Sequence, residues 1–368
     1  MAGIYLHIPF CSRKCAYCDF YSEADRNDLV SEFLRSMKRE IGLRSDFFSE
    51  GTTIDTVYLG GGTPSLIPPH HIERLLDKIR TRFAISDHAE ITIEVNPGTV
   101  GVDHFKAYRT AGINRLSIGV QSLADAELRL LGRMHASADA LKTIADARAC
   151  GFENIGIDFI FGLPGQTVAR WCRTLRKSLS LHPEHISAYS LTWNETTPLG
   201  RKIETGRLPK PQEETIAAMY LLTHDLLADA GYDHYEISNY AHPGRRCRHN
   251  EGYWTGEPYV GLGPSAHSFQ HRQRSWNVSD VQTYIDVLSQ NQIPVAGKEI
   301  LGTDQIAIER IILGLRRREG LSLSQFGKRQ ESLNPLIQKG LGRIVDNCFR
   351  LTETGFLLAD EIALELVA

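Results

Sequence analysis

Three cysteines crowd into one short stretch, Cys11-Ser-Arg-Lys-Cys15-Ala-Tyr17-Cys18. Thiolates are the soft ligands that iron–sulfur clusters require, and one loop wraps three corners of a [4Fe-4S] cubane only when its cysteines are this close. The fourth iron then lacks a protein thiolate. An open iron suits S-adenosylmethionine (SAM), whose amino and carboxylate groups chelate it and place the sulfonium where a reduced cluster delivers one electron; the radical chemistry belongs to the cofactor. Zinc is the competing reading, because His7 lies nearby and a Cys3His site uses the same ligand types. Structural zinc more often draws on two separated pairs, and no second Cys-x-x-Cys occurs.

Other polar residues fall at the ends of short β-branched runs. Residues 53–59 lead into Gly60-Gly61-Gly62-Thr63-Pro64, where missing Cβ atoms let a ligand approach the backbone. Ser65 and Pro64 break a dinucleotide-binding loop, and no Gly-Lys-Ser/Thr of a P-loop is present. Glu94, Gln121, Asp158 (before Gly162-Leu-Pro-Gly-Gln-Thr167) and Thr192 close or follow further runs.

The elements that must position these groups alternate in type. Strands are expected at 5–8, 53–59, 90–95, 115–120, 154–161 and 185–191, with helices at 29–43, 70–83, 103–111, 138–150 and 167–181. This is an α/β pattern of parallel strands and crossover helices, and six such units imply an incomplete (β/α)6 TIM-like barrel; an open doubly wound sheet is the alternative. In barrels the C-terminal strand ends carry the active site. The cluster loop, Gly60 to Thr63, Glu94, Gln121 and Asp158 are therefore expected to face one cavity.

Three regions are expected: residues 1–200 as the barrel, 201–293 as a linker and extension rich in His, Tyr and Trp, and 294–368 as a small, mainly helical, winged-helix-like domain. Within the last two, helices are expected at 212–230, 304–315 and 323–326, and a hairpin at 349–355 leads into a helix over 356–366. A net charge of -3 offers no electrostatic case for nucleic acid. No apolar run reaches the length of a membrane span, and the short apolar start is not a signal peptide. Of seven cysteines, Cys150, Cys172, Cys247 and Cys348 are scattered singly, a poor disulfide framework. A cytoplasmic location follows, with peripheral contact at the inner membrane left open.

Together, His7-Ile-Pro-Phe-Cys11 with Cys15 and Cys18, Gly60-Gly-Gly-Thr-Pro64, Asn114-Arg-Leu-Ser-Ile-Gly-Val-Gln121-Ser122, Asp158 and Gly162 to Thr167 resemble the radical SAM proteins related to oxygen-independent coproporphyrinogen III dehydrogenase. The resemblance spans essentially the whole chain and is nearer to the haem chaperone branch. It implies that Tyr5, Gly61 and Glu94 contact cluster-bound SAM, with Gly62 and Thr63 lining the same pocket. Tyr17, Gln121, Arg133, Asp158 and Thr192 match positions that contact a second SAM in the dehydrogenase. Two departures from that enzyme stand out: Asp19-Phe20 follows Cys18 where it has a further cysteine, and only four residues precede Tyr5 where it has a long arm.

The mark of the chaperone branch is His-Asn-x-x-Tyr-Trp, here His249-Asn250-Glu251-Gly252-Tyr253-Trp254. Cys247, His249 and His267 are candidate iron ligands for haem, while Tyr253, Trp254 and Tyr259 offer flat apolar faces. Arg245, Arg246 and Arg248 suit the propionates. From composition alone an aromatic interface holding a hydrogen-bonded His249 explains the same residues. The resemblance implies a protein that binds haem as cargo and hands it to apoproteins such as respiratory enzymes, with a [4Fe-4S] cluster and SAM, and with dimerisation accompanying cluster loading. The alternative is a dehydrogenase that decarboxylates coproporphyrinogen III oxidatively.

Overall fold

Five segments alternate apolar and polar residues with a period of two, and each is a parallel strand: β1 (Gly3–Ile8), β2 (Thr53–Gly61), β3 (Ala84–Val95), β4 (Arg115–Gln121) and β5 (Ile155–Phe161). This computed structural model describes residues 1–367. One alternating set, including Ile4, Leu6, Ile8, Val57, Leu59, Ile93, Leu116, Ile118, Ile155 and Ile157, is fully or almost fully buried. The other set carries Tyr5, His7, Tyr58, Glu94, Ser117 and Asp158; Tyr5 bonds His7 within β1, while Tyr58 bonds Glu94 and Ser117 bonds Asp158 across neighbouring strands. Successive side chains of a strand point to opposite faces, so one pattern supplies both a core face and a polar face.

These strands, apart from the last two residues of β5, lie in unit 1, made of Met1–Phe159, Thr192–Leu208 and Glu257–Ile300. There the order is Val295–Ile300, Gln273–Asn277, His267–Gln270, Tyr259–Leu262, then β1 to β5. The βα units add to one side in chain order, with no reversal between β1 and β5. The order of these five strands is that of successive barrel units, whereas a doubly wound sheet reverses its order among its βα units. Helix Pro69–Arg80 shows how the crossovers pack: Ile72, Leu75, Leu76 and Ile79 recur at helical spacing and are buried. One crossover element was not anticipated. Helix Asp125–Leu131 ends on Gly132, whose φ of 74° is left-handed and favours glycine, and this turn delivers Arg133.

Unit 2 comprises Ile160–Leu191, Pro209–Gly256 and the chain from Leu301 onward. Its strand β6 (His185–Ser190) pairs antiparallel with Asn239–Ala241, which pairs antiparallel with Asp233–Glu236. Helices Val168–Leu179 and Glu213–Asp229 are joined by a buried bond from Trp171 Nε1 to Thr223 Oγ1 at 2.8 Å. The later part has helix Thr303–Leu315, a three-stranded sheet and helices Glu353–Leu357 and Ala359–Val367. The hairpin expected at 349–355 lies earlier, as Gly342–Val345 and Cys348–Leu351. Its turn is Asp346-Asn347, both at positive φ, a pair suited to a tight hairpin. Thr352 instead caps a helix by accepting the Gly355 N–H.

Each unit draws on three stretches, so the units cut across the three sequence regions. The strands of residues 233–300 were not foreseen because most are short and are broken by Gly and polar residues. Among the described residues no helix is long and apolar enough to cross a membrane.

Candidate functional site

The cysteine loop is closed at its base, where Phe10–Cys11 pairs in parallel with Glu23–Ala24 and the Glu23 N–H donates to Pro9 O at 2.7 Å. Its middle is held from two sides: Ala16 N–H donates to Leu131 O at 2.9 Å, and Ala16 O accepts Leu199 N–H at 2.8 Å. A Cβ on Gly132 would stand 3.0 Å from Ala16 N, so glycine permits this approach as well as the turn. Cys11, Cys15 and Cys18 are half-buried free thiols. Burial pushes the Cys18 thiol up, opposed by the Phe20 N–H and reinforced by Cys15 and Cys11.

The Cys3His zinc reading fails on His7. Its Nε2 faces Tyr21 O at 3.1 Å and its Nδ1 faces Tyr5 Oη at 3.1 Å. A carbonyl only accepts, so Nε2 carries the proton and Nδ1 receives the Tyr5 hydroxyl; neither nitrogen has a lone pair left for a metal. Burial lowers His7 to about 4, so the ring is neutral. Among the described residues no three His, Cys, Asp or Glu side chains converge on one ion. Three half-buried thiols on one anchored loop, with donors aimed at their sulfurs, fit a thiolate-held cluster.

Two of those donors are side chains. Thr63 Oγ1 lies 3.4 Å from Cys11 Sγ, and Arg133 Nη1 lies 3.6 Å from Cys15 Sγ. Asn96 joins them: its Nδ2 donates to Thr63 Oγ1 at 2.8 Å, and its Oδ1 accepts Arg133 Nη2 at 2.6 Å. Arg133 Nη2 also donates to Gly119 O at 2.9 Å. Tyr17 lies against Arg133, Cys15 and Cys18, and burial pushes its hydroxyl above the ordinary range. Asn96 was not among the candidate residues, and His7 was one only as the fourth ligand of a zinc site. Asn96 had a legible signal, two residues beyond Glu94 and immediately past the end of an alternating strand.

The glycine triplet approaches the chain's own groups. A Cβ on Gly60 would stand 2.9 Å from Glu94 Oε1, one on Gly61 2.7 Å from the His7 ring, and one on Gly62 2.8 Å from Phe10 O. Gly61 has φ of 112°, and its N–H donates to Glu94 Oε2 at 3.1 Å while Tyr58 Oη donates to Glu94 Oε1 at 3.0 Å. Tyr5, deeply placed beside Glu94, has its hydroxyl pushed above its usual range by burial. Asp158 accepts Ser117 Oγ at 3.0 Å. Gln121, at φ 63°, ends β4 half-buried, and Thr192 is exposed beyond β6.

Burial first, then Asp158, raises the Glu94 carboxyl from 4.5 to about 7, against bonds from Tyr58 and Gly61 and the Arg115 charge. The folded chain therefore holds this proton to higher pH than the unfolded chain. Between those two values the folded state binds more protons, so rising pH costs stability, and the penalty is complete above the folded value. Glu94→Gln cannot ionise and should lose this slope. Urea midpoints of the cluster-free chain at about pH 5 and about pH 8 test it; the wild type should lose up to about 3 kcal/mol relative to Glu94→Gln across that interval. Parallel curves would refute the assignment.

The haem candidates fall in both units. Cys247 is fully buried at the start of helix Arg248–Thr255, and its N–H donates to Tyr235 Oη at 3.3 Å. His249 is buried, with Nε2 2.8 Å from Tyr253 Oη. Tyr253 and Trp254 are half-buried, and Arg316 lies 4.5 Å over the Trp254 ring. Arg246 is engaged by Glu319 at 2.6 Å and Glu251 at 3.3 Å, so its charge already has partners. His267 is exposed in unit 1, its ring 6.1 Å from Trp276.

Residues 5–177 match the radical SAM superfamily, and residues 303–358 match the HemN C-terminal domain. Haem chaperone HemW of Mycobacterium tuberculosis is 36% identical over 369 residues, covering 99% of this chain and 94% of that protein. Haem chaperone HemW of Bacillus subtilis is 35% identical, covering 98% of each. Among solved structures, coproporphyrinogen III oxidase (HemN) from Escherichia coli, described as a radical SAM enzyme, superposes with a TM-score of 0.85 at 26% identity, covering 99% of this chain and 89% of that one. With a three-cysteine loop at the mouth of an α/β sheet and full-length likeness of this extent, the chain belongs to the HemW family of radical SAM proteins.

Proposed function

We propose that this protein is a haem chaperone: it binds haem and transfers it to apoproteins, among them membrane-bound respiratory enzymes, and it carries a [4Fe-4S] cluster on Cys11, Cys15 and Cys18. The observation that carries the reading is likeness from end to end with relatives named haem chaperone HemW. The cluster, when bound, supplies an open iron for SAM and one electron for its sulfonium. The chain's own residues do the rest. Thr63 and Arg133 donate toward two cluster sulfurs; Glu94, fixed by Tyr58 and the Gly61 N–H, offers a carboxylate beside Tyr5 for the SAM pocket, which Gly62 completes. Gln121 and Asp158 lie further along the same polar face, and with Tyr17, Arg133 and Thr192 they are the candidates for a second SAM.

For haem, Tyr253 and Trp254 offer half-exposed aromatic faces, and His249 is the ligand we favour. Its Nε2 becomes available when the Tyr253 hydroxyl moves away. Cys247 is too deeply buried to coordinate without unwinding the helix start. Tyr253→Phe removes the competing hydroxyl and should tighten haem binding several-fold, since one hydrogen bond contributes about 1 kcal/mol. His249→Ala should lose the stoichiometric Soret change. Anaerobic titration of cluster-loaded protein with haem checks both, and coproporphyrinogen turnover is followed in the same samples. Haem binding without turnover supports the chaperone; decarboxylated porphyrin formed in step with deoxyadenosine would make the protein a dehydrogenase instead.

A further inference from the structure

The hydrogen bonds around Asn96 have a direction. Arg133 has no acceptor, so each of its bonds is a donation: Nη1 toward Cys15 Sγ at 3.6 Å and Nη2 to Asn96 Oδ1 at 2.6 Å. That second bond identifies Oδ1 as the amide oxygen, which leaves Nδ2 to donate to Thr63 Oγ1 at 2.8 Å. A threonine hydroxyl has a single proton. With its oxygen already receiving a bond from Asn96, that proton is directed at Cys11 Sγ, 3.4 Å away. The guanidinium thus acts on Cys15 directly and on Cys11 through two aligned bonds. Aligned donors polarise one another, which strengthens the last of them.

The relay is held from outside. Asn96 N–H donates to Ser65 Oγ at 3.1 Å, Ser65 Oγ and Thr99 Oγ1 lie 2.7 Å apart, and Arg133 Nη2 is fixed a second time by Gly119 O. A Cβ on Gly119 would stand 3.1 Å from Asn96 Oδ1, tighter than ordinary contact, so a small residue there keeps the amide in place.

We infer that Asn96 is a positioning residue for the cluster: by donating to Thr63 it turns the Thr63 hydroxyl into a hydrogen-bond donor to Cys11, coupling Arg133 to two of the three thiolates. The inference rests on the cluster reading of Cys11, Cys15 and Cys18. An aspartate here would keep an acceptor for Arg133 but present a second acceptor to Thr63. The hydroxyl proton would then point at the carboxylate, and Cys11 would lose its donor while Cys15 kept its own. Donors to cluster sulfurs raise the reduction potential and help retain the metal.

The test uses the full chain, reconstituted anaerobically without SAM, as wild type, Asn96→Asp, Asn96→Ala, Thr63→Val, Thr63→Ser and the double variant Asn96→Asp/Thr63→Val. Two properties are read: the potential at which the reduced-cluster EPR signal appears, and the rate of iron loss to a chelator. Asn96→Asp and Thr63→Val should each lose iron about tenfold faster than wild type and shift the potential downward. Thr63→Ser should match wild type. Because Asn96 acts on Cys11 through Thr63, the double variant should lose iron no faster than Thr63→Val alone. Asn96→Ala adds no charge and should shift in the same direction, and it decides the matter if Asn96→Asp fails to fold. Wild-type potential and iron retention in Asn96→Ala, or additive rates of iron loss in the double variant, would overturn the inference. A wild type that takes up no cluster would instead overturn the cluster reading.

Discussion

Cys15→Ala is expected to leave anaerobic reconstitution with iron and sulfide at background, while Cys150→Ala loads like wild type. Both residues are half-buried free cysteines, so removing either thiol deletes about the same side-chain volume. Only Cys15 lies on the anchored loop, beside Cys11 and Cys18 and under the Arg133 guanidinium. Two thiolates on this loop cannot hold a cubane whose fourth iron already lacks a protein thiolate, so the drop should be tenfold or more rather than partial, about the scale at which even a supporting residue around a metal acts. Ligand binding to the folded state raises its stability by mass action. Loaded wild type should therefore melt above its cluster-free form, whereas Cys15→Ala should melt at one temperature whether or not iron and sulfide are supplied. A Cys15→Ala chain that retains the wild-type cluster signal would remove this loop as the binding site.

Gly61→Ala should be among the most destabilising single-methyl additions in the chain. The new Cβ would stand 2.7 Å from both Cε1 and Nδ1 of His7, and the backbone φ of 112° is one that alanine rarely adopts. His7 cannot swing aside without breaking its bonds to Tyr5 and Tyr21, and its ring is buried. Backbone strain and overpacking each cost about 1 to 3 kcal/mol, so about 3 to 5 kcal/mol is expected together. Gly51→Ala separates the two effects. Gly51 has φ of 81° but nothing within 4 Å of an added Cβ, so it should cost about 1 to 2 kcal/mol, the price of a left-handed alanine. Urea unfolding of the cluster-free chains measures both. Equal midpoints for the two variants would mean that His7 yields, and that the packing of Gly61 on its ring does not fix the loop.

The elements most legible in the sequence are those set by local sterics. Five of the six expected strands begin and end within about three residues of their observed bounds; only β3 starts earlier, at Ala84. Side-chain alternation in a strand is imposed by the backbone itself, so Ile4, Leu6 and Ile8 against Tyr5 and His7 already separate a core face from a polar one. The cysteine spacing is equally local, since three ligands of one cluster must lie on a reach of chain short enough to wrap it. Amphipathic helices such as Pro69–Arg80 carry their own period and proline start. Asp346-Asn347 was just as local a signal, and it shows that a short hairpin is placed by its turn residues more securely than by its apolar ones.

What only the tertiary structure decided are partnerships across long stretches of sequence. Thr63, Asn96 and Arg133 come from three separate strand ends or turns, and no periodicity relates them to Cys11 or Cys15. The glycine triplet was readable as a place where something comes close, but the close neighbours are His7, Glu94 and the Phe10 carbonyl, which β1 and β3 bring to it. Likewise the removal of His7 as a fourth metal ligand turned on which atoms face its two nitrogens, and the burial of Cys247 and His249 on how unit 2 packs around one helix. The amino-acid sequence alone determined which segments become strands and helices and which loop carries the thiols, because those follow from short-range sterics and reach. Hydrogen-bond direction, ring protonation and access to a side chain depend on groups far apart in the chain, and these the packed fold alone decided.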